Sequence, residues 1–284
     1  MRHEPVLLNE VLEWLKVEEK ETFIDATMGL GGHSKAILER NPRARVYGFE
    51  WNETSFDYLL EKFKEFGARV KIFNENFVEA PRILKKLNVK ADGILMDLGV
   101  SSYLIEGSGR GFTFKKDEPL DMRMSFSITT KARDVLNQYS FNQLKRVLET
   151  GEVPRAERFA KFLCEFRKQK RFETTYDLVN AVKKFFKTAK PDLLALVFQS
   201  IRIEVNKELE NLEKTLAEVL DVLNKGARIV VISFHSLEDR IVKNFFKNSK
   251  SLKVLTKKPI TPSKEEVLRN PRSRSAKMRV AEVV

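Results

Sequence analysis

The chain has 284 residues and a formal net charge of +12. Its residues are 42% hydrophobic and 32% charged, which excludes a disordered composition and allows one large domain or a domain carrying an insertion. A single cysteine excludes an internal disulfide framework and a CxxC zinc site. The N-terminal MRHEPVLLNEVLEWL carries acids inside its apolar pattern, unlike a signal peptide. No run approaches the roughly 20 apolar residues of a membrane span, so a cytoplasmic protein without a membrane partner is expected.

In chain order, TFIDAT (22–27) reads as a strand and HSKAILER (33–40) as a helix. ARVYGFE (44–50) is a second strand. SFDYLLEKFKEF (55–66) is a second helix, with Phe56, Leu59, Leu60 and Phe63 on one face. RVKIFNE (69–75), EAPRILKKLN (79–88) and ADGILMDLG (91–99) continue the alternation as strand, helix and strand. Repeated β-α units predict an α/β fold with a parallel, doubly wound sheet. The pattern then breaks into a loop rich in glycine and charge (103–126) and a helical stretch (129–190). A long helix over 193–224, broken once, leads to the strand ARIVVISF (227–234) and a basic, Pro-rich tail ending in MRVAEVV. The expected organisation is a discontinuous α/β domain (1–104 and 193–284) interrupted by an all-helical insertion (105–192).

The positive charge is uneven. Residues 155–190 hold eleven Lys/Arg against four Asp/Glu, and residues 243–284 hold twelve against three. The remainder is slightly acidic. A near-neutral half beside two cationic segments predicts small-molecule chemistry next to a polyanion-binding face, for a nucleic acid or an anionic membrane surface. A solvated helix face around RKQKR is the plainer alternative.

DATMGLGGHS (25–34) places Gly29, Gly31 and Gly32 in a turn between a strand and a helix, where backbone N–H groups and a helix N-terminus face a ligand. A dinucleotide fingerprint would carry its third glycine at position 34, where Ser34 stands, and no Gly-Lys-Ser/Thr follows for a phosphate loop. Glu50 closes the second strand, 19 residues after Gly31, as a carboxylate for ribose hydroxyls. S-adenosylmethionine has no pyrophosphate and offers an amino group to Asp25 or a neighbouring acceptor, so it fits better than NAD. His33 either begins the helix or touches the cofactor. Asp97, at the end of the fourth strand, lies where ligands bind in open α/β sheets. It either accepts a proton from an attacking amine or caps the turn with Ser101 and Ser102.

These residues, with HEPVLLNEVL (3–12), DLGVSS (97–102), RGFTFKKDEPLDMRM (110–124), FQSIRIEVNKELENL (198–212), ISFHSLEDRIVKNFF (232–246) and NPRSRSAKMRV (270–280), closely resemble the bacterial small-subunit (16S) ribosomal RNA cytosine-N4 methyltransferase family. The resemblance spans nearly the whole chain. It implies a class I methyltransferase domain with an inserted helical domain. It further implies S-adenosylmethionine as cofactor and transfer of a methyl group to the exocyclic N4 of a decoding-region cytidine in 16S rRNA. Family cofactor contacts fall on Gly31, Gly32, His33, Glu50, Phe77 and Asp97, with Phe77 either against adenine or in the core. The chain departs from the family pattern at Leu104, where Gln is frequent, and at Glu50, where Asp is common.

Many amino-methyltransferases carry an Asp/Asn/Ser-Pro-Pro-aromatic loop beside the amine. This chain has Asp97-Leu98-Gly99-Val100, which leaves Asp97 as the candidate acceptor. Arg110, Arg123, Arg272 and Arg274 are candidate phosphate contacts. Asp117, Glu118 and Asp121 compete for the first two as ion-pair partners. His235 is either a substrate contact or structural. With Glu238 and Asp239 it fits no standard zinc spacing, and methyl transfer from a sulfonium needs no metal.

Overall fold

The computed structural model describes residues 4–284. Contacts divide the chain into two compact units, one of residues up to Gly99 with Leu209–Val284, the other Val100–Glu208.

The first unit opens with α1 (Leu8–Trp14), β1 (Thr22–Asp25), α2 (Gly32–Arg40), β2 (Arg45–Phe49), α3 (Glu53–Lys62), β3 (Val70–Phe73), α4 (Ala80–Lys86) and β4 (Ala91–Asp97). The apolar run Ile94-Leu95-Met96 is wholly buried, as expected of a central strand covered on both faces. Asn52 starts α3 by accepting the Ser55 N–H.

The second unit holds α5 (Ser102–Glu106), α6 (Ala132–Gln138), α7 (Phe141–Thr150), α8 (Ala156–Gln169), α9 (Thr175–Phe186) and α10 (Pro191–Asn206). Its core is rich in aromatic rings, among them Phe159 and Phe172. Ser140 with Gln143, and Thr174 with Asp177, form reciprocal caps that set where α7 and α9 begin.

The chain returns to the first unit through α11 (Glu208–Val219), β5 (Leu223–Ser233), α12 (Ser236–Asn248), β6 (Leu252–Val254), α13 (Lys264–Arg269) and β7 (Lys277–Val283). The sheet order is β3-β2-β1-β4-β5-β7-β6. β3, β2, β1, β4 and β5 pair in parallel, and β7 runs antiparallel between β5 and β6. α1, α2 and α3 cover one face, where Phe23, Leu95 and Val230 meet Val11, Ile37 and Leu59. α4, α11 and α12 cover the other, where Ile94, Met96 and Val231 meet Leu84, Leu216 and Val242. The expected doubly wound α/β sheet is present.

The single break expected in the helix over 193–224 falls at Lys207, which adopts the left-handed conformation at φ 52° between α10 and α11. Two differences from the sequence reading have physical causes. The first half of that helix, α10, belongs with the helical unit, whose core takes up Val197, Phe198 and Ile201, so the boundary lies at 208/209 rather than 192/193. The short β6 has too few residues for an alternating pattern and exists through its pairing with β7.

Candidate functional site

The strand order reverses direction between β1 and β4, and ligands of open α/β sheets bind beyond the carboxyl ends at such a point. Three neighbouring strands end there in acids. Asp25 closes β1, Asp97 closes β4, and Glu50 follows β2.

Asp25 is 1% exposed and accepts the Ser34 hydroxyl at 2.5 Å and the Thr27 N–H at 3.3 Å. Burial pushes its carboxyl up to about 6, against the pull of these two donors. Glu50 accepts the Gly29 N–H at 2.8 Å and the Asn52 N–H at 2.7 Å, one on each oxygen. Burial, with a smaller push from Asp25 and Glu53, raises it to about 8 despite those bonds. Each oxygen keeps a lone pair for a ribose hydroxyl. Asp97 is held by its backbone, whose N–H donates to Thr27 Oγ1 at 2.6 Å. Burial first, then the charges of Asp25 and Glu238, raise its carboxyl well above the usual range. Its Oδ1 is buried without a hydrogen-bond partner.

No lysine or arginine among the described residues pairs with any of these three acids. Carboxyls gathered at adjacent strand ends without a side-chain cation hold their protons to higher pH than free carboxyls do.

His33 lies at the second position of α2 and is 6% exposed. Its Nε2 stands 3.0 Å from the Val6 carbonyl, which can only accept, so Nε2 carries hydrogen. Nδ1 then faces Asp97 Oδ2 at 3.7 Å. His33 thus begins the helix and also backs the Asp97 carboxyl.

The glycines have a structural duty that their spacing did not reveal. Gly31 has φ +75°, and a Cβ there would lie 2.4 Å from the Phe63 ring. A Cβ on Gly32 would meet Pro5 at 2.4 Å. Both are kept small by packing of the protein against itself. Gly29, at φ +57°, turns its N–H to Glu50. The Lys62 ammonium holds the loop from the other side by donating to the Leu30 carbonyl at 2.5 Å.

Phe77 begins a 3₁₀ turn after β3 and packs half-buried against the core. His235 caps α12, its Nδ1 accepting the Glu238 N–H at 3.4 Å. Glu238 in return accepts the Phe234 N–H at 2.9 Å. His235 thus caps the helix through Nδ1, while its buried Nε2 lies 3.1 Å from Glu238 Oε1. Asp239 does not join it but grips Arg279 in a two-point pair at 2.6 and 3.0 Å. Arg272 and Arg274 are exposed on the 3₁₀ turn Pro271–Ser275.

In the helical unit, Leu104 is 4% exposed, an aliphatic side chain without a hydrogen bond to offer. Arg123 makes a two-point pair with Asp121 at 2.7 and 2.9 Å and donates to the Ile128 carbonyl. Arg110 is 8% exposed and donates to the Arg123 carbonyl at 3.1 Å. For Arg123 the ion-pair alternative to a phosphate contact is present, and Arg110 donates within its own loop. Thr27 and Ser34 also hold the acids, and the sequence marks them only by their place inside the loop, Ser34 in a third glycine's position.

A seven-stranded sheet in this order, with β7 antiparallel among parallel strands, is the architecture of class I methyltransferases. The sequence profile of the MraW methylase family matches residues 1–284, and the chain belongs to that family.

A protein named ribosomal RNA small subunit methyltransferase H from Thermotoga neapolitana is 46% identical over 291 residues, covering 99% of this chain and 96% of the relative. A protein of the same name from Clostridioides difficile is 41% identical over 307 residues, covering 99% of each. Among solved structures, an rRNA methylase from Streptococcus thermophilus aligns with a TM-score of 0.45 at 10% identity, over 100% of this chain and 99% of that chain. Among the described residues no helix is long and apolar enough to cross a membrane.

Proposed function

We propose that this methyltransferase transfers a methyl group from S-adenosylmethionine to the exocyclic N4 of a specific cytidine in the decoding region of small-subunit (16S) ribosomal RNA. The names of the two relatives support the RNA class. The observation that carries the amine reading is Asp97 Oδ1, a buried acceptor without a partner at the cofactor edge. An exocyclic amine brings the N–H donor that this atom lacks.

S-adenosylmethionine supplies a methyl group made electrophilic by its sulfonium. Glu50, oriented by Gly29 and Asn52, accepts the ribose hydroxyls. Gly31, Gly32 and His33 line the backbone turn beside the cofactor, and Phe77 lies on the adenine side. Asp25, held by Ser34, faces the cationic end. Cytosine N4 is a poor nucleophile because its lone pair is drawn into the ring. Asp97 fixes the amine in line and, by accepting one N–H, favours charge developing on N4. Asp97 Oδ1 would take the proton that N4 gives up on accepting the methyl group. His33 Nδ1, 3.7 Å behind Oδ2, is placed to share it. The basic helices α8 and α9 and the exposed Arg272 and Arg274 hold RNA phosphates. Leu104 contributes no polar contact to the cofactor.

The test is incubation with labelled S-adenosylmethionine and either small ribosomal subunits or free 16S rRNA, followed by digestion to nucleosides. Label is expected in N4-methylcytidine. Label in another nucleoside, or none, removes the proposal.

A further inference from the structure

Phe126 is 58% exposed, more than any other aromatic ring among the described residues. It is not a loose surface side chain. Arg110 lies under it, with the guanidinium carbon 3.9 Å from the ring centroid, and Arg123 flanks it at 5.6 Å. Both arginines are themselves fixed, Arg110 by the Arg123 carbonyl and Arg123 by Asp121 and the Ile128 carbonyl. The neighbouring backbone is pinned as well. Asn206 accepts the Met124 N–H at 2.8 Å and donates to the Met122 carbonyl at 2.8 Å. Ser125 and Ser127 join their hydroxyls at 2.8 Å. The loop therefore expends two arginines, an asparagine and two serines on presenting one phenyl ring to solvent.

Ordinary packing would turn such a ring inward, since burying a phenylalanine is worth about 1.5–3 kcal/mol. The surroundings also rule out a phosphate grip as the purpose. The Arg123 charge is answered by Asp121, and the Arg110 guanidinium is covered by the ring above it. What this surface offers is an aromatic face with a cation on its reverse side. Nucleobases stack on such faces regardless of sequence. A target base that must reach a cofactor is unpaired, and bases beside it lose their stacking partners in the same event.

We infer that Phe126, backed by Arg110, is a stacking platform for an unpaired base of the RNA substrate. This rests on the reading of the substrate as RNA. The ring is a positioning group, not a catalytic one.

The variants Phe126→Ala, Phe126→Leu and Phe126→Tyr separate stacking from mere apolar cover. Two measurements are made on each: KM and kcat with small ribosomal subunits, and the Kd of a short single-stranded RNA. Phe126→Ala and Phe126→Leu are expected to raise KM and Kd roughly 5- to 100-fold, the range of one lost base stack. Phe126→Tyr is expected to restore both. Melting temperature, kcat and the Kd of S-adenosylmethionine stay at wild-type values throughout. Wild-type KM and Kd in Phe126→Leu, or in Phe126→Ala, overturn the inference. If the wild type leaves subunit RNA unmethylated, the substrate reading falls by itself. The single-stranded RNA then decides the platform alone: weaker binding by Ala and Leu than by Tyr upholds it, and equal binding overturns it.

Discussion

Ser34 stands where a dinucleotide loop has its third glycine, and its hydroxyl reaches back to the buried Asp25 at 2.5 Å. One side chain thus explains both why the loop does not suit NAD and how the first carboxyl is held. Asp97 has no comparable partner. Its lone buried oxygen and the imidazole of His33 on its other side make it the group to test for the proposed amine chemistry. Asp97→Asn keeps the shape and removes the proton acceptor. It is expected to lower kcat about 10²- to 10⁴-fold, the usual worth of a positioned general base, with S-adenosylmethionine binding within roughly tenfold of wild type. Single-turnover methylation and calorimetric titration check the two halves. A kcat near wild type would remove Asp97 from the mechanism. The Val6 contact of His33 was not legible beforehand, because it joins residues 27 apart that meet only when α2 packs beside the N-terminal segment.

The glycine turn and the strand ends around it act as units. Gly31→Ala places a methyl into Phe63 at a left-handed φ, so it is expected to destabilise the fold by roughly 2–4 kcal/mol. Phe63→Ala in the same chain relieves the clash but not the backbone strain, and a double-mutant cycle of thermal melts should show a coupling of about 1 kcal/mol or more. Simple additivity would show that Phe63 is not what excludes a side chain at position 31.

The ends of β1, β2 and β4 bring together carboxyls raised to about 6 (Asp25), to about 8 (Glu50) and, for Asp97, well above its usual value. The folded protein holds more protons on these groups than the unfolded chain does. Their contribution to stability without cofactor therefore falls as pH rises from the ordinary carboxylate range to about 8. A cationic ligand favours the charged forms and expels those protons. Binding of S-adenosylmethionine should release protons near neutral pH and tighten between about pH 6 and 8. The thioether product, which lacks the sulfonium charge, should show a shallower rise. Calorimetry in buffers of different ionisation enthalpy measures the release. Equal proton release by cofactor and product would contradict this account.

The cationic character belongs to segments in both units, while the acids sit at the sheet edge. RNA binding should weaken steeply with salt. Arg274→Ala is expected to reduce the slope of log K against log salt by about one, the effect of one lost phosphate contact, without changing the melting temperature. Arg123→Ala should do the reverse. It leaves the salt slope alone and costs about 1 kcal/mol of stability by removing the two-point pair with Asp121, which keeps Lys131 at 3.9 Å. A lowered slope in Arg123→Ala would return that residue to the phosphate-binding set.

The amino-acid order alone determined the alternation of strands and helices, the glycine turn, the acids at the strand ends and the interruption by a helical segment. Each of these is written in local periodicity or in residues close together along the chain. Only the tertiary structure decided the remainder. It sent Arg123 to Asp121 and Arg110 to its own loop, made His235 a helix cap, and gave α10 to the helical core. It also left Asp97 Oδ1 without a partner. A charged or polar side chain has several candidate partners within reach of its sequence neighbourhood. Which one it takes depends on where packing places the backbone, and hydrophobic burial over distant residues settles that.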